Sequence, residues 1–405
     1  MRQIANSIIG IWLFSIILTL SPFHSFANKV NYFYTIACFA VIYLSSRSIV
    51  RSTPVLGSSI LKSNTIRLVW AICSLLLSAL AIIVIYQLYT NGEGGLSSNR
   101  DLFEQKYTWF NYIFIIIIPT SIMLSLSIHS TEVERRIGKI AWLLCGILLL
   151  LSGNRQFSFF SIVYLSFYYM GKSKQPRILM KRLLIGGILI ISLAIAFSIA
   201  RLDYLPKNES NIVAKYMSTL SGTVCTNDFI YNSPLEMVYQ LLYTYLGMNH
   251  SGFKYSADFF TERGGFPFLS ITFPLIYRRI DQVGLGADLN LLEKEYDSYI
   301  ASVAGDNYSH FFSTMFGAVV IEGWWPAFML FSVLCILLMR ILSANSTKFY
   351  STEIDYMYFI LIASSLVFGL MQFPTTEPFF AMSLVEFSLI YLFNKVANHQ
   401  SVALK

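Results

Sequence analysis

The chain has 405 residues, of which 55% are apolar and 13% are Asp, Glu, Lys or Arg, about half the roughly 25% charge content of an average soluble domain. That composition excludes a water-soluble globule. The formal charge of +7 comes from Lys and Arg confined to short segments between apolar runs, which fits membrane topology and excludes a basic nucleic-acid-binding face.

In chain order, apolar runs bounded by charge predict about ten membrane-spanning helices. The first four are Ile4 to Leu20, Val30 to Leu44, Val69 to Tyr89 and Phe110 to Ile128. Arg2, the apolar run after it and the small pair Ser25 and Ala27 also imitate a secretory signal. The expectation here is an uncleaved first helix, and cleavage would leave every later span oriented the same way.

Two short spans follow, Ile140 to Ser152 and Phe157 to Met170, joined by Gly153-Asn154-Arg155-Gln156. At 1.5 Å per residue each covers only ~20 Å of a ~30 Å hydrocarbon core, so the turn is expected below the outer membrane surface. A cation held there is costly unless it faces a watery recess or an anion, which makes Arg155 a functional candidate. The competing reading is a locally thinned bilayer or a tilted neighbour that exposes the turn.

A seventh span is expected from Leu183 to Ala200, and three more from Pro326 to Leu342, Tyr356 to Phe373 and Pro378 to Phe393. Alternate short loops differ sharply in basic content. Arg47, Arg51, Lys62, Arg67, Arg135, Arg136, Lys139, Lys172, Lys174, Arg177, Lys181 and Arg182 fall on one side, against Lys29, Arg100, Lys106 and Arg155 on the other. By the positive-inside rule the first side is cytoplasmic, and both termini fall there. Three regions result: membrane helices in 1–200, a large outer loop in 201–325, and membrane helices in 326–405.

Long connections of this size are usually functional. Within it, Leu235, Val238, Leu242 and Tyr245 recur at helical spacing, and Phe266 to Tyr277 is an apolar patch; both predict helices on, or dipping into, the outer face of the bundle. Arg201 sits beside Asp203, Arg263 begins the patch, and Arg278 and Arg279 end it. Guanidinium forks suit phosphate oxygens, so two or three converging arginines would bind a pyrophosphate without metal. For any one of them, a solvated residue or an ion pair such as Arg201 with Asp203 is an equally good account.

The loop ends in Asp306-Asn307-Tyr308-Ser309-His310, followed by the apolar run Phe311 to Ile321 and by Glu322-Gly323-Trp324-Trp325-Pro326. Eleven apolar residues are too few to span, so this run is expected to re-enter or lie at the interface, with its Trp rings at headgroup depth. Asp306, His310 and Glu322 are the candidate general bases there, since carboxylate and imidazole are the usual acceptors of a hydroxyl proton. Each also has a plain structural explanation as a satisfied loop residue.

Glu386 lies near the centre of the last span, where an ionised carboxylate is expensive. It is the best sequence support for a proton-coupled transporter. Cys38, Cys73, Cys145 and Cys335 lie in apolar segments and only Cys225 in a polar one, which builds neither a disulfide framework nor a metal cluster. No Walker or dinucleotide-binding glycine pattern occurs.

The layout, the Gly-Asn-Arg turn between two short spans, the long loop in the second half and the Phe316-Gly317 to Glu322-Gly323 segment resemble the Wzy-type O-antigen polymerases, the oligosaccharide repeat unit polymerases of Gram-negative bacteria. The resemblance implies an all-α membrane bundle of the GT-C type and a metal-independent, cofactor-free glycosyltransferase of the inner membrane. Its substrate would be polyprenyl-pyrophosphate-linked oligosaccharide, within membrane lipid and beside a chain-length-regulating membrane protein. The growing glycan is the donor, a hydroxyl of the incoming repeat attacks its reducing-end sugar, and polyprenyl pyrophosphate leaves.

In that chemistry Arg155 and Arg201 would hold the pyrophosphate, helped by Arg278 or Arg279, and His310, Asp306 or Glu322 would take the proton. No family motif assigns the base. An O-antigen ligase has a similar layout. A flippase would favour repeated broken helices with midplane polar sites, and a scaffold would need no submerged arginine.

Overall fold

The computed structural model describes residues 1–20, 32–54, 57, 59–91, 103, 106–151, 156–172, 239, 242–243, 249–267, 270–272, 277, 294–296, 298–300, 302, 314–348, 351–370, 373–374 and 378–403. Among the described residues the protein is all-helical, with only one isolated bridge, Gly57 to Thr352. The long helices are α1 (Arg2–Thr19), α2 (Tyr32–Arg47), α3 (Asn64–Asn91), α4 (Thr108–Leu126), α5 (Glu132–Leu151), α6 (Gln156–Lys172), α7 (Asn249–Arg263), α8 (Met315–Thr347), α9 (Glu353–Phe368) and α10 (Pro378–Ala403).

Each expected span in the described residues coincides with one of these helices. Helices α1, α3, α4, α8 and α10 are long and apolar enough to cross a membrane. Three of the others, α2, α6 and α9, have only 16 or 17 residues. Leu183 to Ala200 lies outside the described residues.

Helix α5 opens on charged turns and starts eight residues before its apolar run at Ile140. The cause is a capping box. The Thr131 amide donates to Glu134 Oε2 at 2.6 Å and the Glu134 amide donates back to Thr131 Oγ1 at 3.3 Å, which satisfies amides that a helix start leaves bare. Helix α9 begins the same way, with Thr352 and Asp355 exchanging bonds.

Helix α9 is the axis of the bundle. Ile354, Met357, Phe359, Ile360, Leu361, Ala363 and Val367 are fully buried, as expected of a helix that is apolar all round. It packs on α1, α6, α8 and α10, while α3, α4 and α5 form a second group. The outward faces of α3, α8 and α10 carry the opposite pattern, with Leu75, Leu76, Leu330, Leu334, Leu389 and Phe393 all exposed. Contiguous exposed apolar surface of this kind suits contact with lipid.

The bundle has two chemically distinct ends. At one, Arg67 donates to the Leu61 and Lys62 carbonyls, each at 3.0 Å, and pairs with Glu134 at 3.2 Å. Lys395 pairs there with the buried Asp355 at 2.7 Å, and Asn394 bonds both Thr352 and the Ile60 amide. At the other end lie aromatic rings, with Phe114, Phe157 and Phe379 in mutual contact. Helix α7 packs across this aromatic end, with Phe253 against Tyr34 and Trp325.

Candidate functional site

The site begins with a break in α8. Regular geometry fails at Gly323 and at Trp324, which has φ 53° and ψ −150°, a conformation that costs a non-glycine residue on the order of 1–3 kcal/mol and persists only when its surroundings hold it. Pro326 follows, and having no N–H it cannot complete a helical ladder across the break. The half-helix Met315–Glu322 is therefore separate from the span, and it is buried along its length. It is the run that sequence placed at the interface or re-entering.

Glu322 ends the half-helix and fastens the turn at Ile271 and Thr272 to it. Its Oε1 accepts from the Ile271 amide at 2.5 Å and the Thr272 amide at 2.7 Å, and Oε2 accepts from the Thr272 hydroxyl at 2.8 Å. Beside it the Phe266 amide donates to the Ile321 carbonyl at 2.8 Å. The approach to this contact requires glycine. Gly264 and Gly265 have φ of +88° and +74°, and a Cβ on Gly265 would collide with the Phe260 ring and the Ile321 carbonyl. Phe260 in turn stacks on Trp324, 2° from parallel.

The same positive-φ pair redirects the apolar patch. Where described, Phe266 and Pro267 are non-helical and Ser270–Thr272 form a turn, so these residues of the expected patch helix form instead a strap laid on the break of α8. The helical spacing Leu235 to Tyr245 is described only at Tyr239, Leu242 and Tyr243, all helical.

A helix unanticipated from sequence, α7, carries the remaining polar groups. His250 is buried, with Nε2 at 2.5 Å from Ser15 Oγ and its ring edge-on to Trp12. Among the described residues its Nδ1 has no hydrogen-bond partner, and the buried hydroxyls of Ser270 and Thr314 have none either. The Thr314 amide donates to the Asn249 carbonyl at 3.3 Å, so α7 and the half-helix start together. Orphaned buried polar atoms are scarce in native proteins and mark places where a group, a water or an ion belongs. The signal available in sequence was Phe253, Ala257 and Phe260 at helical spacing; nothing there distinguished His250.

Burial depresses the pKa of His250 to about 4, so it is neutral at pH 7. The unfolded chain protonates near 6.5, above the folded value, so stability is complete above pH 6.5 and is lost as pH falls toward 4. The expected loss is on the order of 3 kcal/mol. Thermal unfolding in detergent at pH 7.5 and 5 should show a larger drop for the wild type than for His250→Gln, and equal drops would refute it.

Outside the bundle, a cavity of about 390 Å³ is lined by Arg263, Lys294, Glu295, Ser298, Tyr299 and Ser302, within the size range of ligand pockets. Its floor is a second apolar cluster including Tyr255, Phe259, Phe266 and Tyr299. Burial, then the carboxylates of Glu262 and Asp258, raise the Tyr299 hydroxyl to about 12, keeping it a hydrogen-bond donor at neutral pH.

Of the residues singled out by sequence, Glu322 is described and is seated at the break. Arg155, Arg201, Arg278, Arg279, Asp306 and His310 lie outside the described residues. Glu386 is half-buried in α10 and pairs with no described residue.

No family model matches the chain, and neither a curated protein nor a solved structure matches it.

Proposed function

We propose that the protein is a multi-pass glycosyltransferase of the bacterial inner membrane that polymerises polyprenyl-pyrophosphate-linked oligosaccharide repeats at the periplasmic face. The acceptor hydroxyl oxygen attacks the donor's anomeric carbon, the bond to pyrophosphate breaks, and the hydroxyl proton passes to a base. A pyrophosphate leaving group already carries its charge, so fixed cations supply the main stabilisation. Arg155, Arg201, Arg278 and Arg279 have that role in this reading, and Asp306 or His310 that of the base.

The observation that carries the proposal is the Glu322 latch. It ties the outer stretch to a broken helix at the aromatic end, giving a polar surface fixed against a bundle that exposes apolar residues to lipid. A lipid-linked sugar substrate needs both surfaces side by side. In sequence, Thr272 precedes Arg278 by six residues and Thr314 follows His310 by four. Glu322 itself is better suited to positioning, because its oxygens are occupied by the strap.

A transporter of lipid-linked oligosaccharide is the second reading, favoured by the lone carboxylate of Glu386 in α10. A lipopolysaccharide ladder from a deletion strain separates the two. Polymerase loss leaves a single repeat on the core, restored to a ladder by wild type and equally by Glu386→Gln. A bare core indicates the flippase or the ligase, and failure of Glu386→Gln alone indicates transport.

A further inference from the structure

At the basic end, α4, α5 and α6 enclose a recess of about 280 Å³ whose polar lining includes Ser125, Ser127, Arg135, Lys139 and Lys172. Gly138 creates it. A Cβ there would sit 2.7 Å from the Ser121 carbonyl oxygen and 2.9 Å from the Ser125 nitrogen, so the bare backbone lets α5 press onto α4 and brings Arg135 and Lys139 beside the end of that helix.

The cations of the recess are incompletely matched. Arg135 donates Nη2 to the Ser130 carbonyl at 3.0 Å and lies 3.8 Å from the exposed Glu132, while its buried Nε meets no acceptor among the described residues. Lys139 makes no ion pair among the described residues. Lys172 lies 4.0 Å above the Tyr168 ring, hydrogen-bonds its hydroxyl and is 4.0 Å from the buried Glu353. That carboxylate is already engaged by the Ser127 hydroxyl at 2.9 Å and the Ile128 amide at 2.8 Å.

The wall is rigid. Tyr168 donates to the Leu126 carbonyl at 2.7 Å, and Tyr356 donates to the Tyr168 carbonyl at 2.6 Å, an approach that Gly171 permits. Around the recess Ile128, Ile140 and Leu143 are exposed. A matching ligand is therefore anionic at its head and apolar beyond it.

We propose that this recess binds the phosphodiester headgroup of an anionic membrane phospholipid. The guanidinium of Arg135 and the ammonium of Lys139 take the phosphate oxygens, as such groups do at bilayer surfaces, and the acyl chains lie along Ile140 and Leu143.

The test is native mass spectrometry of the full-length protein released from micelles containing dioleoylphosphatidylglycerol or dioleoylphosphatidylcholine. One phosphatidylglycerol should be retained and no phosphatidylcholine. Retention should fall roughly 30-fold in Arg135→Gln/Lys139→Gln, at about five-fold per basic contact, with the lipid-free melting temperature unchanged. Arg136→Gln removes a neighbouring charge that is exposed and paired with Glu132 at 3.2 Å, and it should change retention less than about two-fold. An equal loss in Arg136→Gln, or no preference between the lipids, overturns the site. Complete competition by millimolar inorganic phosphate overturns the lipid assignment in favour of a soluble phosphate.

Discussion

Replacing Arg155 with Ala is expected to collapse the lipopolysaccharide ladder to a single repeat while the protein level in the membrane stays unchanged. In the proposed reaction the guanidinium stabilises charge on the departing pyrophosphate, and removing one such preorganised donor costs about 10²–10³ in rate. A loss of that size leaves chain growth too slow to register as long polymer. Arg155→Lys should recover only part of it, since an ammonium keeps the charge and loses the paired fork. Long chains in the Ala variant would remove Arg155 from the mechanism.

Glu322 is expected to divide its two substitutions sharply. With Ala, the Ile271 and Thr272 amides and the Thr272 hydroxyl lose their acceptor, at ~1–3 kcal/mol for each buried group left unpaired. A total on the order of 3–5 kcal/mol is a large part of a typical folding free energy, so the membrane level of Glu322→Ala should fall along with its activity. With Gln, one oxygen still accepts both amides and the hydroxyl can turn to accept from the new NH₂, so stability should drop by only about 1 kcal/mol. Activity then separates two roles. A positioning residue keeps most of its polymer as Gln, whereas a general base loses 10²–10⁴ because an amide accepts no proton. Membrane-normalised polymer from the two variants decides it.

The long apolar helices were legible because an apolar run long enough to enter hydrocarbon is legible whatever it packs against. Helix ends were less so. The apolar run of α5 reports only where lipid begins, while its true start depends on Thr131 and Glu134, a local motif readable in the sequence but lying outside the hydrophobic run. The length of the run Phe311 to Ile321 was enough to set it apart from the span that follows, while the break itself, at Gly323 and Trp324 with Pro326 beyond, was not read from the sequence. Phe266, Pro267 and Ser270–Thr272 were misread as helical because an apolar patch is equally compatible with a turn held by Glu322, a partner some fifty residues away. His250 was invisible for the same kind of reason. Its burial is created by α1, almost the whole membrane domain earlier in the chain, and a sequence shows no pairing across that distance.

The broken α8 also bears on how the protein tolerates different membranes. A continuous helix of its 33 residues would be ~50 Å long, well beyond a ~30 Å hydrocarbon core. Because regular geometry stops at Trp324, only the later segment, ~35 Å long, has to match the bilayer. A thicker or thinner bilayer then changes the tilt of that segment, at a fraction of a kcal/mol per ångström, and the joint absorbs the rotation. The half-helix, its carboxylate and the strap keep their register with α7, so this end of the bundle stays in alignment as lipid composition varies.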